Sequence, residues 1–250
     1  MNDTTLIDEF ISRYSLVIHE QEFTCRLVTE IKNTDAVIFS VITAENNLIP
    51  ENEISLKFKE IDTQFFHVDK SFLRECFSSI VMGKKPSAGF EFLRLSGLLK
   101  LYFPWLDKCY GVEQNEYHAH DVYYHLIYSC DAAVCDSVIR MAALFHDAGK
   151  VRAKRKIQKG EDEKDVFYNH EIIGSTITYK TLRYLEFEDA FAKRVSRLVR
   201  HHMFHYTSDW SNNAVRRFIR NMKDDLKDLF KLRNADRCGN GKRISTPGKL

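Results

Sequence analysis

The stretch MAALFHDAGK, residues 141–150, places His146 and Asp147 side by side at the end of an apolar run. Adjacent side chains on an α-helix project about 100° apart, so both can reach one point only near a helix end or a local distortion. Gly149, two positions after Asp147, predicts such an end. A histidine nitrogen and a carboxylate oxygen are typical ligands of a divalent metal ion that keeps positions open for water. These ten residues alone fit either a metal site or an ordinary helix end.

A second stretch, YHAHDVYYHLIYSCDAAV at residues 117–134, carries histidines at helical spacing from an acid. The steps from Asp121 and from His118 to His125 predict that all three side chains share one helix face. Asp121 is then expected to accept a hydrogen bond from the second ring nitrogen of His125. From this stretch alone, His125 is either a metal ligand or a hydrogen-bonded histidine of the core.

Further candidate ligands follow downstream. His170 opens an amphipathic stretch, His202 ends another, and Asp236 precedes two glycines in NADRCGNG. Ligands from separate helices can converge on one ion in the core of a helical bundle. The candidate set along the chain is therefore His125, His146, Asp147 and Asp236, with His170 and His202 between them.

The composition fits an ordinary globular protein. A chain of 250 residues with 44% hydrophobic residues can bury one large core, or one large and one small domain. The longest apolar runs fall far short of the roughly 20 residues needed to cross a bilayer. Because the N-terminus also lacks the pattern of a signal peptide, we expect a cytoplasmic protein without a membrane partner. The six cysteines form no CxxC pair, so we expect them to be reduced.

Charge divides the chain into two unlike parts. Residues 1–139 hold 12 Lys and Arg against 21 Asp and Glu, whereas residues 140–250 hold 25 against 14. A basic second half is typical either of a phosphate-bearing partner such as nucleic acid or of solvated helix faces. The charged residues 151–170 are predicted to form a surface loop or lid beside the His-Asp pair, with Lys150 placed to stabilise a phosphate.

The secondary structure changes character near residue 69. Within residues 1–68, LIDEFISRY predicts a short helix, whereas LVIHEQEF and AVIFSVIT are rich in β-branched residues and predict strands. From Asp69 onward the spacing is helical, with Asp69 and Gly83 bounding one helix and Pro86 opening the next. We therefore predict a mainly α chain preceded by an N-terminal segment of uncertain, α/β or irregular, structure.

The order H…HD…D and the sequence LFHDAGK resemble the HD superfamily of metal-dependent phosphohydrolases. KPSAGFEFLRLSGLLKLYFPWL, GVEQNEYHAHDVYYH, LVRHHMFHYTSDW and AVRRFIR are similar to the HD-containing C-terminal portion of bacterial tRNA nucleotidyltransferases (CCA-adding enzymes) and related poly(A) polymerases. The likeness implies an HD helical bundle and four parts: an N-terminal segment of unknown role (1–68), a helical connector (69–116), the HD domain (117–243) and a tail (244–250). That family's nucleotidyltransferase head has no counterpart that we find in residues 1–68, so we do not expect this chain alone to add nucleotides.

The resemblance also implies the roles of the candidate residues. His125, His146, Asp147 and Asp236 would hold one divalent ion, which could be Mn²⁺, Ni²⁺, Co²⁺, Fe²⁺ or Mg²⁺. Asp147 and Lys150 would act in catalysis, and His170 and His202 would bind a second ion or contact phosphate.

Three functions remain open at this point. The first is a phosphohydrolase that acts on a nucleotide or RNA-end phosphoester, such as a 2′,3′-cyclic phosphate or a 2′-phosphate. The second is a non-catalytic RNA- or tRNA-binding module, either left from a longer nucleotidyltransferase or partnering a separately encoded head. The third, a structural helical domain, requires four independent coincidences among the candidate ligands.

Overall fold

The computed structural model describes residues 17–19, 22–24, 34–50, 58–59, 68–114, 118–159, 162–204 and 211–241. The chain divides into two compact units, Met1–Asp107 and Lys108–Leu250. Most described residues are helical, which confirms the predicted mainly α fold. The predicted helix LIDEFISRY and the tail at 244–250 lie outside the described residues, and the four-part subdivision of the chain stays a prediction.

The first unit combines a small sheet with helices. Strand β1 pairs antiparallel with β2, and β2 pairs parallel with β3. The prediction of strands at LVIHEQEF is thus confirmed in part. The elements of this unit are β1 (Val17–His19), β2 (Glu22–Thr24), α1 (Asp35–Asn46), β3 (Ile49–Pro50), α2 (Lys70–Met82), α3 (Pro86–Leu95), α4 (Leu99–Tyr102) and α5 (Pro104–Asp107).

The prediction of a strand at AVIFSVIT is wrong, because these residues lie in helix α1. Val37, Phe39 and Ile42 are all fully buried, so the helix is apolar on several sides and shows no helical alternation of polar and apolar residues. A short apolar run of this kind does not distinguish a buried helix from a buried strand. Tertiary packing decides the outcome here: the backbone of Gly89 on α3 lies against Ser40 of α1.

The helix bounds predicted from Asp69 onward are confirmed. The Asp69 carboxylate caps α2 by accepting hydrogen bonds from the backbone N–H groups of Ser71 at 2.8 Å and Phe72 at 3.3 Å. Gly83 follows the last residue of α2, and Pro86 begins α3. Capping chemistry therefore determines these ends locally.

The second unit is a helical bundle with one hairpin. Helix α6 packs against α7 and α12, and α9 packs against α10. Its elements are α6 (Val122–Ala132), α7 (Ser137–Phe145), α8 (Lys150–Ala153), β4 (Arg155–Lys159), β5 (Asp162–Val166), α9 (His170–Tyr184), α10 (Asp189–His201), α11 (Asn212–Met222), a 3₁₀ turn (Lys223–Asp225) and α12 (Leu226–Gly239). Among the described residues, no helix is both long and apolar enough to cross a membrane.

The charged stretch at 151–170, predicted to be a surface loop or lid, is not an irregular loop, and its role as a lid stays a prediction. It contains the antiparallel hairpin β4–β5, in which Lys156 lies opposite Asp165 in the register. Opposite charges pair across the hairpin, with Lys156 Nζ on β4 2.5 Å from Glu163 Oε2 on β5. Lys154, just before β4, places its Nζ 2.8 Å from Asp165 Oδ2. The change from a basic to an acidic run therefore marks two strands that attract each other.

A close helix contact in this unit yields a test of packing. A Cβ added at Gly239 on α12 would lie 2.5 Å from the backbone nitrogen and 2.6 Å from the Cα of Ser129 on α6. We expect Gly239→Ala to lower the free energy of unfolding by about 1–3 kcal/mol, because the two helices must separate.

Urea denaturation of Gly239→Ala and of a control variant, Gly174→Ala, measures this loss of stability. Gly174→Ala is the matched control, because its added Cβ would meet its nearest atom at 3.3 Å. It should change the stability by less than about 1 kcal/mol. Equal losses in both variants would contradict the close α6–α12 contact.

Candidate metal centre

Three helices deliver the first group of candidate ligands. His125 lies in the first turns of α6, His146 and Asp147 directly follow the last residue of α7, and Asp236 lies in the last turn of α12. Adjacent residues on a continuous helix would diverge, so the end of α7 is what allows His146 and Asp147 to face one centre. The predicted helix end is confirmed, but α7 ends at Phe145, and Gly149 immediately precedes α8 and does not cap α7.

The four side chains meet at short distances. The Nε2 atoms of His125 and His146 are 3.0 Å apart. Asp147 Oδ2 lies 3.4 Å from His125 Nε2 and 3.2 Å from His146 Nε2. Asp236 Oδ1 lies 3.1 Å and 3.5 Å from the same two nitrogens. Ligands about 2.0–2.2 Å from a common ion are separated from one another by about 3.0–3.5 Å in tetrahedral or octahedral geometry, so this donor set fits a divalent cation.

A second group forms on the other side of Asp147. Asp147 Oδ1 is 3.2 Å from His170 Nε2 and 3.5 Å from His202 Nε2, and the two ring nitrogens are 3.3 Å apart. The two oxygens of Asp147 therefore face different pairs of histidines. These separations equal those of the first group and can hold a second cation.

Hydrogen bonds determine which ring nitrogen is available to a metal. The Nδ1 atoms of His146, His170 and His202 lie 2.8, 2.7 and 2.7 Å from the carbonyl oxygens of Ala143, Phe167 and Val199. A carbonyl only accepts, so each Nδ1 donates its proton, and each ring presents the lone pair of Nε2 whenever it is neutral. Lone pairs that converge on one another repel, so this arrangement favours a proton or a metal ion between them.

The electrostatics of the pocket favour positive charge. Burial alone would raise the pKa of Asp147, but Lys150 and His146 hold it well below its usual value. Hydrogen bonds with His125 and His146 similarly outweigh burial and lower the pKa of Asp236. Burial would lower the pKa of His146, yet the two carboxylates raise it to about 10. Two ionised carboxylates in a buried pocket thus attract a proton or a metal ion.

Comparison with known proteins identifies this arrangement. Residues 118–241 match the family model described as the HD domain. The chain contains an HD domain. The resemblance inferred from LFHDAGK and the order of the ligands is therefore confirmed.

Curated relatives of the HD-domain chain are tRNA nucleotidyltransferases. It is 28% identical to the A-adding tRNA nucleotidyltransferase of Deinococcus radiodurans over 170 residues, which is 66% of this chain and 38% of that protein. It is 30% identical to the CC-adding enzyme of Thermus thermophilus over 172 residues, again 66% and 38%. A multifunctional CCA protein of Paraburkholderia phymatum is 41% identical over 75 residues, 28% of this chain and 18% of that protein. The chain spans less than two fifths of the length of these relatives.

Lys150 lies at the edge of the first ligand group of the HD domain. Its Nζ atom is 2.6 Å from Asp147 Oδ2 and 2.5 Å from Gln114 Oε1, and it lies 5.6 Å from the centre of the Phe167 ring. Nothing in the motif pointed to Gln114 or Phe167, because neither is near the His-Asp pair in sequence. They hold the ammonium group beside the carboxylate.

The predicted role of Asp121 is wrong. Asp121 is the N-cap of α6: one carboxylate oxygen accepts from the N–H of Tyr124 at 2.8 Å and the other from the N–H of Gly111 at 2.7 Å. A capping side chain turns back onto the first turn of its own helix and cannot reach the ring one turn later. Among the described residues, the buried Nδ1 atom of His125 has no hydrogen-bond partner.

His118 is also misplaced by the helical spacing, because α6 begins only at Val122. The half-buried His118 ring nevertheless contacts His125, with the ring centres 5.2 Å apart, and it groups with His125 and Asp147 as a further potential donor. Burial and the nearby charge of Lys150 lower its pKa to about 4. The pattern YHAHD signalled a histidine-rich site without showing which histidine enters it.

Removal of divalent ions should destabilise the HD domain, since buried carboxylates would lose their counter-charge. At a free ion concentration about 100 times Kd, binding to the folded state alone stabilises by about 2.7 kcal/mol. We therefore expect the melting temperature to fall by several degrees on chelation and to recover when Mn²⁺ is added in excess over the chelator.

Differential scanning fluorimetry measures this shift in three proteins. Asp236→Asn should show a smaller Mn²⁺-dependent shift than the wild type, whereas Glu163→Gln on the exposed hairpin should keep the full shift. If neither the chelator nor Mn²⁺ changed the melting temperature of the wild type, a metal centre at this position would be contradicted.

Proposed function

We propose that the HD domain is a metal-dependent phosphohydrolase that acts on a nucleotide or RNA-end phosphoester, such as a 2′,3′-cyclic phosphate or a 2′-phosphate. The observation that carries the proposal is Asp147, whose two oxygens face two pairs of histidines within a buried pocket. His125, His146, Asp147 and Asp236 are assigned to one divalent ion. Its nitrogen and oxygen donors suit Mn²⁺, Fe²⁺, Co²⁺, Ni²⁺ or Mg²⁺.

The chain's own residues have distinct tasks in this reaction. A divalent ion bound there supplies Lewis acidity, which acidifies water and polarises a phosphoryl oxygen. Asp147 and Asp236 stay ionised because of the low pKa of each carboxyl group. The Lys150 ammonium, held by Asp147 and Gln114, stabilises negative charge on the phosphate at the edge of the pocket.

For His170 and His202, binding of a second ion is better supported than direct contact with phosphate. Burial lowers the pKa of His202, so the ring is neutral at pH 7, and its Nδ1 proton is donated to Val199. Its Nε2 atom therefore cannot donate to a phosphate oxygen, and the adjacent Asp147 carboxylate would repel one. A cation satisfies both groups.

A nucleotide or RNA substrate is supported by the relatives and by charge. The proteins of Deinococcus radiodurans and Thermus thermophilus are named for their action on tRNA. Residues 140–250 of this chain are strongly basic. The names of these two proteins also state that they add nucleotides. We do not assign that activity to this chain, which spans 38% of the length of each of them.

Hydrolysis of bis(p-nitrophenyl) phosphate and 2′,3′-cyclic AMP tests the proposal. We expect metal-dependent turnover by the wild type, and a loss of at least about 100-fold in kcat for both Asp147→Ala and Lys150→Gln. Asp147→Ala removes a proposed metal ligand, and Lys150→Gln removes the positive charge proposed to stabilise the phosphate. Lys156→Gln on the hairpin is the matched control for Lys150→Gln and should keep wild-type turnover. No wild-type turnover with Mn²⁺, Ni²⁺, Co²⁺ or Mg²⁺ would remove the hydrolase proposal.

The metal content of purified protein tests the assignment of the second pair of histidines. Elemental analysis of wild type loaded with Mn²⁺ and desalted should give about two ions per chain, and His202→Ala should give about one. Glu171→Gln, next to His170, serves as the control and should keep both ions. Loss of all metal, or no loss, in His202→Ala would contradict the assignment.

A second candidate function is a non-catalytic RNA-binding module. It is favoured by exposed arginines on α11 that have no acidic partner among the described residues. Metal-dependent hydrolysis by the wild type would exclude a non-catalytic module, whereas RNA binding without hydrolysis would support one.

A further inference from the structure

Helix α11 presents a polar and strongly basic face. Asn213, Arg216, Arg217, Arg220 and Asn221 follow one another at the spacing i, i+3, i+4, i+7 and i+8, which places them on one side of the helix. All five side chains are exposed. Together with Ser211 and Ala214, they line an open depression of about 500 Å³ along the helix. The face is thus a continuous surface of hydrogen-bond donors.

The opposite face of α11 anchors the helix to the HD domain. Met222 is buried, and the Phe218 ring stacks on Phe204 with the ring centres 5.5 Å apart. The Ser211 hydroxyl caps the helix by accepting from the N–H of Ala214 at 3.2 Å. A capped and anchored helix holds the basic face in a defined orientation.

The three arginines of this face differ from the cations of the neighbouring helix α10. On α10, Lys193 lies 2.6 Å from Asp189, Arg194 lies 2.6 Å from Asp228, and Arg200 lies 3.2 Å from Glu171. Helix α11 contains no acidic residue.

Within the part of the chain that the structure describes, Arg216, Arg217 and Arg220 form no ion pair or hydrogen bond. Like charges at i, i+4 destabilise a helix. An anionic ligand along the face would remove that repulsion.

We infer that this basic face of α11 binds the sugar–phosphate backbone of an RNA; the choice of RNA rests on the proposed function. Guanidinium groups bind phosphate oxygens in a bidentate manner, and the asparagine amides flanking them can bond sugar or base edges. A membrane surface fits less well, because a membrane-bound helix turns its apolar face outward and Phe218 and Met222 face the domain. The contacts are to the backbone, so binding is expected to depend on salt rather than on sequence.

Binding of a labelled tRNA transcript, measured by fluorescence anisotropy at several salt concentrations, tests the inference. The variant Arg216→Gln/Arg220→Gln removes two charges and keeps good helix formers. We expect it to raise Kd about tenfold at low salt and to lower the slope of log K against log salt by about 2.

The matched control Lys156→Gln/Lys193→Gln removes the same charge from exposed lysines that already have acidic partners. It should bind tRNA like the wild type, and circular dichroism should show equal helix content in all three proteins.

Several outcomes would overturn the inference. These are a wild type that does not bind tRNA, equal losses in the two double variants, and an unchanged salt slope in the arginine variant. Vesicles of phosphatidylserine and phosphatidylcholine provide a further arm: arginine-dependent binding to them, with tRNA binding unaffected, would assign the face to membranes instead. Binding requires no turnover, so a protein that binds tRNA through α11 but hydrolyses nothing would remove the proposed function alone.

Discussion

A buried carboxylate, Asp147, is the constraint on which the second unit depends. A buried charge must be compensated by nearby groups of opposite charge, because moving an uncompensated carboxylate out of water costs on the order of several kcal/mol. Asp147 meets His125, His146 and Lys150 through one oxygen and His170 and His202 through the other. Because a single carboxylate serves both groups, the helices that carry those histidines cannot move independently of one another.

The packing of the bundle keeps these donors in place through backbone contacts. Gly149 approaches the backbone of His170 so closely that a side chain would not fit, which brings the His146–Asp147 corner onto α9. At the start of α12, Arg197 pairs with Asp225 and Arg194 with Asp228, and both carboxylates are almost buried. These pairs attach the start of α12 to α10. They therefore help to hold the helix that carries Asp236, a candidate ligand, near its other end.

The sequence predicted which side chains come together better than it predicted their surroundings. The end of the apolar run at His146 and Asp147 is a local property and could be predicted, although α7 ends at Phe145 and Gly149 serves for the close approach to His170. The order of His125 and Asp236 followed from the family resemblance. Asp121 and His118 were misplaced because helical spacing does not show where a helix begins, and the start at Val122 turns Asp121 into a cap. The prediction at AVIFSVIT failed for a tertiary reason, since burial on several sides removes the periodicity that distinguishes helix from strand.

The second unit has charged groups in a buried pocket and on the exposed surface, and dissolved salt screens the two sets differently. The carboxylates around Asp147 lie in a buried pocket, so dissolved salt screens them weakly, and they would repel a phosphate that cations did not shield from them. The arginines of α11 are exposed and unpaired among the described residues, so their attraction for phosphate extends about 8–10 Å at physiological salt and fades as salt rises. The proposed contact with RNA and the proposed chemistry therefore depend on different groups of this domain, and each can be tested without the other.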